Sequence, residues 1–124
     1  MNTAGDYCNK VSLEKRKEIT SYAKEKFPGK LPIIVEYERN FPDDKRIPKF
    51  KFLVPKNFRM LDFTSVLRNK MNLSSKSGLF IFVGDTSKGG TLVRQGDFIS
   101  TVHENYSHQD GFLYLVISLE NVYG

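Results

Sequence analysis

The chain has 124 residues, 40% hydrophobic, 13% aromatic and 27% charged, with a formal net charge of +5. That is enough for one domain with a real core; it excludes two large domains, and the composition excludes a disordered or low-complexity chain. Fourteen of the nineteen Lys and Arg fall in residues 1–60, beside eight Asp and Glu, so the first half supplies a basic surface suited to nucleic acid, anionic lipid or an acidic peptide.

Residues 1–11, MNTAGDYCNKV, form an N-terminal segment, either mobile or a short helix. It has no apolar core region and does not read as a secretory signal. It holds the single cysteine, Cys8, which excludes an intrachain disulfide framework and fits a reducing compartment. Residues 12–27, SLEKRKEITSYAKEKF, place Ile19, Tyr22, Ala23 and Phe27 at helical spacing, predicting an amphipathic helix that starts near Ser12 and stops at Pro28-Gly29. LPIIVEYE (31–38) and KFKFLVP (49–55) are proline-bounded β segments that read as a hairpin. Period-2 alternation puts Phe50, Phe52 and Val54 on one face of the second strand and Lys49, Lys51 and Leu53 on the other, with Phe50, Val35 and Leu115 expected in the core.

LDFTSVLRNKM predicts a second helix through Phe63, Val66, Leu67 and Met71, its start lying between Arg59 and Asp62. LFIFV (79–83) is a strand, GDTSKGG a turn, TLV a short strand, Asp97 to Tyr106 a helical stretch carrying Phe98, Ile99 and Val102, and FLYLVI (112–117) the last strand. The apolar runs 79–83 and 112–117 are far shorter than the roughly 18 residues of a bilayer span.

Without its first helix, this order is that of a β-grasp domain. The expected fold is α+β, a ubiquitin-like β-grasp with a mixed four-stranded sheet and extra N-terminal helices over its second face. The strands at 79–83 and 112–117 are apolar on both sides and need cover on both, and residues 12–28 are the natural second cover. Residues 29–124 form the core and a C-terminal tail ending in Gly124.

Enzymatic motifs are weak. Cys8 with His103 or His108 lacks local support for a nucleophile and base, and one Cys and two His offer no zinc-type spacing; no catalytic residue, metal site or cofactor is expected. Gly89-Gly90 lacks the phosphate-loop pattern and reads as a turn. LFIFVG (79–84) resembles an RNP2 hexamer, and Phe80 and Phe82 would then stack bases, but its place after two earlier strands and the missing RNP1 segment argue against RNA recognition.

The succession EKRKE, KEKFPGKLPIIVE, KFKFLVP, DGFLYLVIS and NVYG resembles, in order from about Leu13 to Gly124, the GABARAP and light-chain-three family of autophagy modifiers. The resemblance implies a non-enzymatic modifier, cytoplasmic and also on the autophagosome membrane when lipidated. A processing cysteine protease would expose the terminal glycine, activating and conjugating enzymes would carry it, and Gly124 would be joined to phosphatidylethanolamine; the chain resembles the already exposed form. Glycine suits passage through a narrow enzyme channel because it lacks a Cβ, and a two-chain lipid anchors stably where one acyl chain does not.

The resemblance also implies binding of aromatic-x-x-aliphatic motifs in cargo receptors by strand addition at 49–54. Its aromatic pocket would be Ile19, Ala23, Pro32, Lys51, Leu53 and Phe112. Its aliphatic pocket would be Phe52, Val54, Pro55, Phe58, Phe63, Val66 and Leu67, with Lys49, Lys51 and Lys70 as charge contacts. Ile19 stands where an acidic residue is common, Ala23 where a larger aliphatic is, and Lys70 where Arg is, so the aromatic pocket is less polar at one wall and deeper at the other. No nucleic-acid partner is expected; the alternative is an unconjugated β-grasp adaptor binding protein or RNA.

Overall fold

The computed structural model describes residues 5–74 and 76–120. Along the chain run α1 (Asp6–Lys10), α2 (Leu13–Lys26), β1 (Lys30–Tyr37), β2 (Lys51–Pro55), α3 (Met60–Met71), β3 (Phe80–Val83), β4 (Thr91–Leu92), α4 (Ile99–Tyr106) and β5 (Leu113–Ser118). The sheet order is β2-β1-β5-β3-β4. β1 and β5 pair in parallel at the centre, Ile33 opposite Leu113 and Tyr37 opposite Ile117, and the other pairs are antiparallel. This is the ubiquitin-like β-grasp, with five strands rather than four: Phe82 and Val83 pair with Leu92 and Thr91, making the short segment a true edge strand.

The period of two divides the central strands between two apolar clusters. Ile33, Val35 and Tyr37 of β1 and Leu113, Leu115 and Ile117 of β5 face the main core with Met60, Phe63, Leu67 and Met71 of α3 and Ile99 and Val102 of α4. Ile34 and Phe112 face the opposite side, where Tyr7 of α1 closes over them and Val11, Ile19, Phe50 and Tyr114 border them. Both faces are covered, as two-sided apolar strands demand.

The Ser12 hydroxyl caps α2 by accepting the Lys15 N–H at 3.2 Å. Its buried face keeps only half of the predicted apolar stripe: Ala23 is buried and Ile19 half-buried against the outer cluster, but Tyr22 is 61% and Phe27 45% exposed, and Arg16 and Thr20 are buried in their place. Polar anchoring supplements apolar docking here. Arg16 Nη1 donates to Asp110 Oδ2 at 2.7 Å and the Thr20 hydroxyl to the Asp110 carbonyl at 2.6 Å, fixing the helix on the turn before β5. Gly111 completes that turn at φ +92°, where an added Cβ would lie 2.7 Å from Thr20 Oγ1, so glycine is required twice over.

Phe50 is also placed differently from the period-2 expectation. The ladder begins at Lys51, opposite Ile34, and Phe50 lies outside it; its carbonyl accepts the Val35 N–H at 2.8 Å, but its ring turns to the outer cluster beside Tyr7, 5.6 Å between centroids. Val35 and Leu115 lie in the main core. α1 is held by Glu36 of β1, whose carboxylate accepts the N–H groups of Gly5 (3.0 Å) and Tyr7 (3.3 Å). Cys8 therefore sits in an anchored helix, its Sγ accepting from Arg16 Nη1 at 3.5 Å. Asp85 caps the short turn at Thr86–Lys88, and Gly89 and Gly90 follow with positive φ, the turn chemistry read from that stretch.

Candidate functional site

Among the described residues β2 is a free edge of the sheet. In an antiparallel pair each residue aims its backbone N–H and C=O either at its neighbour or away from it, in alternation. The bond from Val35 N–H to the Phe50 carbonyl sets the phase: Phe50, Phe52 and Val54 aim inward at β1, and Lys51 and Leu53 aim outward at the open edge. Among the described residues, these two exposed positions have no strand on their outer side, and they offer their main-chain groups to any strand laid beside β2.

On the outer face, the side chains of Lys51 and Leu53 stand opposite Ile34 and Pro32 of β1. Leu53 is 37% exposed, Phe112 is buried, and Ala23 of α2 is buried with Ile19 half-buried. Ile19 and Lys51 are brought together on the wall of a cavity of about 730 Å³, which also meets Tyr7, Phe50, Lys10 and Lys15. Pro32 instead lines a separate cavity of about 260 Å³. The Tyr7 ring stands edge-on to Phe112 at 5.6 Å and 86°. Lys51 Nζ lies 5.8 Å above the Tyr7 ring and 5.9 Å above Phe50, close enough for the ring quadrupoles to hold the ammonium over the groove.

On the opposite face, Phe52, Val54, Phe63 and Leu67 are buried in the main core, Phe52 and Phe63 packing edge to face at 5.3 Å. Phe58 is half-buried against that core and Val66 half-buried on α3, whereas Pro55, also half-buried and opposite Lys30, alternates onto the face of Lys51 and Leu53. Lys49 is exposed with its Nζ 4.9 Å from the Phe52 ring, and Lys70 is exposed on α3. Pro55 apart, the β2 members of the two residue sets lie on opposite faces of one edge strand. In an extended peptide, residues three apart also point to opposite faces, so an aromatic-x-x-aliphatic spacing matches this arrangement.

Sequence reasoning missed three outer-face residues, Tyr7, Ile34 and Phe50. Ile34 was within reach, since alternation from Pro32 places it on that face; Phe50 was hidden by the loss of register, and Tyr7 carries no local signal in the N-terminal segment. The reading of Phe80 and Phe82 as base-stacking residues does not survive: Phe82 is 1% exposed and Phe80 half-buried against Ser118.

The outer wall is fixed by a buried polar network. The Asp110 carboxylate, itself buried, accepts from Arg16, from the Phe112 N–H at 2.8 Å and from the Tyr114 hydroxyl at 2.5 Å. One carboxylate thus ties α2, carrying Ile19 and Ala23, to Phe112. Burial, reinforced by the bond to Asp110, pushes the Tyr114 phenol far above its ordinary range. Burial likewise raises the Glu36 carboxyl, against the two N–H donors that favour its charged form.

Gly124 and the rest of the NVYG ending lie outside the described residues. Among the described residues no group of three or more His, Cys, Asp or Glu is placed to hold a metal ion, and no helix is long and apolar enough to cross a membrane.

Residues 15–124 match the family model described as "Autophagy protein Atg8 ubiquitin like". Autophagy-related protein 8e of Arabidopsis thaliana is 34% identical over 124 residues, covering 100% of this chain and 97% of that protein. Autophagy-related protein 8 of Schizosaccharomyces pombe is 34% identical over 113 residues, 91% of this chain and 88% of that protein. The crystal structure of Trypanosoma brucei ATG8 superposes with a TM-score of 0.81 at 31% identity, covering 90% of this chain and 91% of that one. A β-grasp with a helix-covered second face, a free β2 edge and this run of relatives leads to one assignment: the chain belongs to the Atg8 family of ubiquitin-like autophagy proteins.

Proposed function

We propose that this chain is a non-enzymatic autophagy modifier that recruits cargo receptors through the β2 edge and is conjugated through Gly124 to phosphatidylethanolamine, moving between cytoplasm and autophagosome membrane. The observation that carries the recruiting role is the free edge itself. Lys51 and Leu53 offer outward main-chain groups, with apolar side chains collected on both faces of the same strand. Strand addition supplies sequence-independent hydrogen bonds, and the two faces select an aromatic residue and an aliphatic residue three positions later. Two apolar side chains buried at roughly 1.5–3 kcal/mol each do not alone overcome the cost of immobilising a peptide, so main-chain bonds and the Lys49, Lys51 and Lys70 charges contribute. Conjugation rests on the family match, which extends through Gly124. It implies a processing cysteine protease and activating and conjugating enzymes as partners.

Titration of an aromatic-x-x-aliphatic peptide against the parent chain, Lys51→Ala and Leu53→Ala tests the groove. Each substitution should weaken binding several-fold, Leu53 through about 1 kcal/mol of lost apolar contact. Unchanged affinity in both variants would remove the groove from this face.

A further inference from the structure

Phe112, one of the six residues that the resemblance assigns to the aromatic pocket, is not open to a ligand: it is 2% exposed, and Ile34 of the same cluster is fully buried. What closes over them is Tyr7 of α1. Its ring meets Phe112 edge-on and Phe50 at a tilt, 5.6 Å from each, with Ile19 bordering the same cluster and Lys51 Nζ 5.8 Å above the ring. Three of the six pocket residues, Ile19, Lys51 and Phe112, thus surround an aromatic side chain of the chain itself. That ring is lightly held. α1 has five residues and no side-chain cap at its N-terminus, far short of the roughly 12–15 that are marginal as a free helix. It stays seated through Glu36, whose carboxylate accepts the Gly5 and Tyr7 N–H groups, and through Arg16, whose Nε donates to the Val11 carbonyl at 3.0 Å. Among the described residues the buried Tyr7 hydroxyl has no hydrogen-bond partner, and an unsatisfied polar group opposes its own burial. The ring also borders the cavity of about 730 Å³, which gives it space to swing out.

We infer that Tyr7 is a plug built into the chain: it holds the place of the motif's aromatic residue, and a bound peptide displaces it together with α1. The inference rests on the groove reading above. Apparent affinity falls with the fraction of molecules that are open, so a plug seated in about nine molecules of ten weakens a peptide about tenfold. The Tyr7 hydroxyl sets the balance. It is unsatisfied in the seated ring and meets solvent in the released one, so Tyr7→Phe removes a contribution that favours release. A Tyr7 that served as a wall of the pocket would behave in the opposite way. Losing its ring would weaken binding, and losing only its hydroxyl would leave binding unchanged.

The test titrates an aromatic-x-x-aliphatic peptide by fluorescence anisotropy against the parent chain, Tyr7→Ala, Tyr7→Phe and Glu36→Ala, each first checked by circular dichroism for a cooperative melt. Glu36→Ala keeps the ring and removes its latch, which covers the case of a Tyr7→Ala chain that does not fold. Tyr7→Ala and Glu36→Ala should bind about fivefold to tenfold more tightly than the parent, and Tyr7→Phe about fivefold more weakly. In the parent, hydrogen exchange at the Gly5 and Tyr7 amides should speed up as the peptide saturates the chain, while the Val35 amide, bonded to the Phe50 carbonyl, stays protected. Three results would each overturn the inference and leave the groove standing: equal or weaker binding by the folded Tyr7→Ala or Glu36→Ala chains, unchanged or tighter binding by Tyr7→Phe, or Gly5 and Tyr7 amides that do not speed up. The aromatic residue would then lodge in the larger cavity beside a seated Tyr7. No binding of the peptide to the parent or to any variant would overturn the groove reading and the inference with it.

Discussion

Replacing Asp110 by alanine should cost about 3–5 kcal/mol of folding stability and weaken peptide binding at the same time. The carboxylate is 1% exposed and accepts three hydrogen bonds, from Arg16, Phe112 and Tyr114. Removing it leaves the guanidinium of Arg16, whose side chain is only 8% exposed, without its counter-charge, and a broken buried pair costs about 3–5 kcal/mol because the surviving charge stays desolvated. Whole-domain stability at about 0.05–0.15 kcal/mol per residue comes to roughly 6–19 kcal/mol for this chain, so the loss is a large fraction and should lower Tm by about 10–20 °C. Urea titration followed by circular dichroism measures it, with the midpoint shifting at constant slope. Asp110→Asn, which keeps an acceptor for the Phe112 N–H, should fall between parent and alanine. Arg16→Met/Asp110→Leu should cost less than the sum of its singles because no orphan charge remains. A loss within about 1 kcal/mol for Asp110→Ala, or additivity in the double variant, would refute the claim that this network fastens α2 to the sheet.

Gly111→Ala forces a side chain into φ +92° and against Thr20 Oγ1; it should destabilise by about 1–3 kcal/mol, and thermal melting indistinguishable from the parent would show that the turn relaxes freely. Glu36 gives the pH dependence. Its carboxyl is raised above the ordinary glutamate value of 4.5, so the native state holds the proton to higher pH than the unfolded chain. Its contribution is fully present below that value and is lost as pH rises through the raised one. Glu36→Gln should therefore flatten the fall in stability from about pH 4.5 upward, and urea midpoints falling as steeply in the variant would assign that slope to other groups.

The parts of the fold visible in the sequence are those set by local apolar periodicity. Phe63, Leu67 and Met71 kept helical spacing and face the core, and the two-sided strands at 80–83 and 113–118 required cover on both faces. What escaped depended on partners distant in sequence. The buried side of α2 is decided by Asp110, 94 residues after Arg16, so periodicity pointed to Tyr22 and Phe27 instead. Phe50 left its expected face where the ladder stops at Lys51, and the short strand read at TLV becomes a fifth member of a sheet expected to have four, because Thr91 and Leu92 pair with the edge of β3. The site divides the same way. The shared face of Lys51 and Leu53 follows from strand alternation and their place in a groove from the family resemblance, whereas Tyr7 reaches the outer face because Glu36 captures the backbone of α1.

The central claim, that this chain is a conjugated modifier, is tested most directly by lipid transfer. The chain is incubated with activating and conjugating enzymes of the Atg8 pathway, ATP and phosphatidylethanolamine liposomes, and the product is resolved by mass spectrometry. The account predicts a phosphatidylethanolamine adduct on Gly124, strongly reduced in Gly124→Ala while that variant still binds the aromatic-x-x-aliphatic peptide. Persistent absence of the adduct, under conditions that convert a known family member, would contradict it and leave an unconjugated adaptor. An equal yield from Gly124→Ala would contradict the role given to that residue.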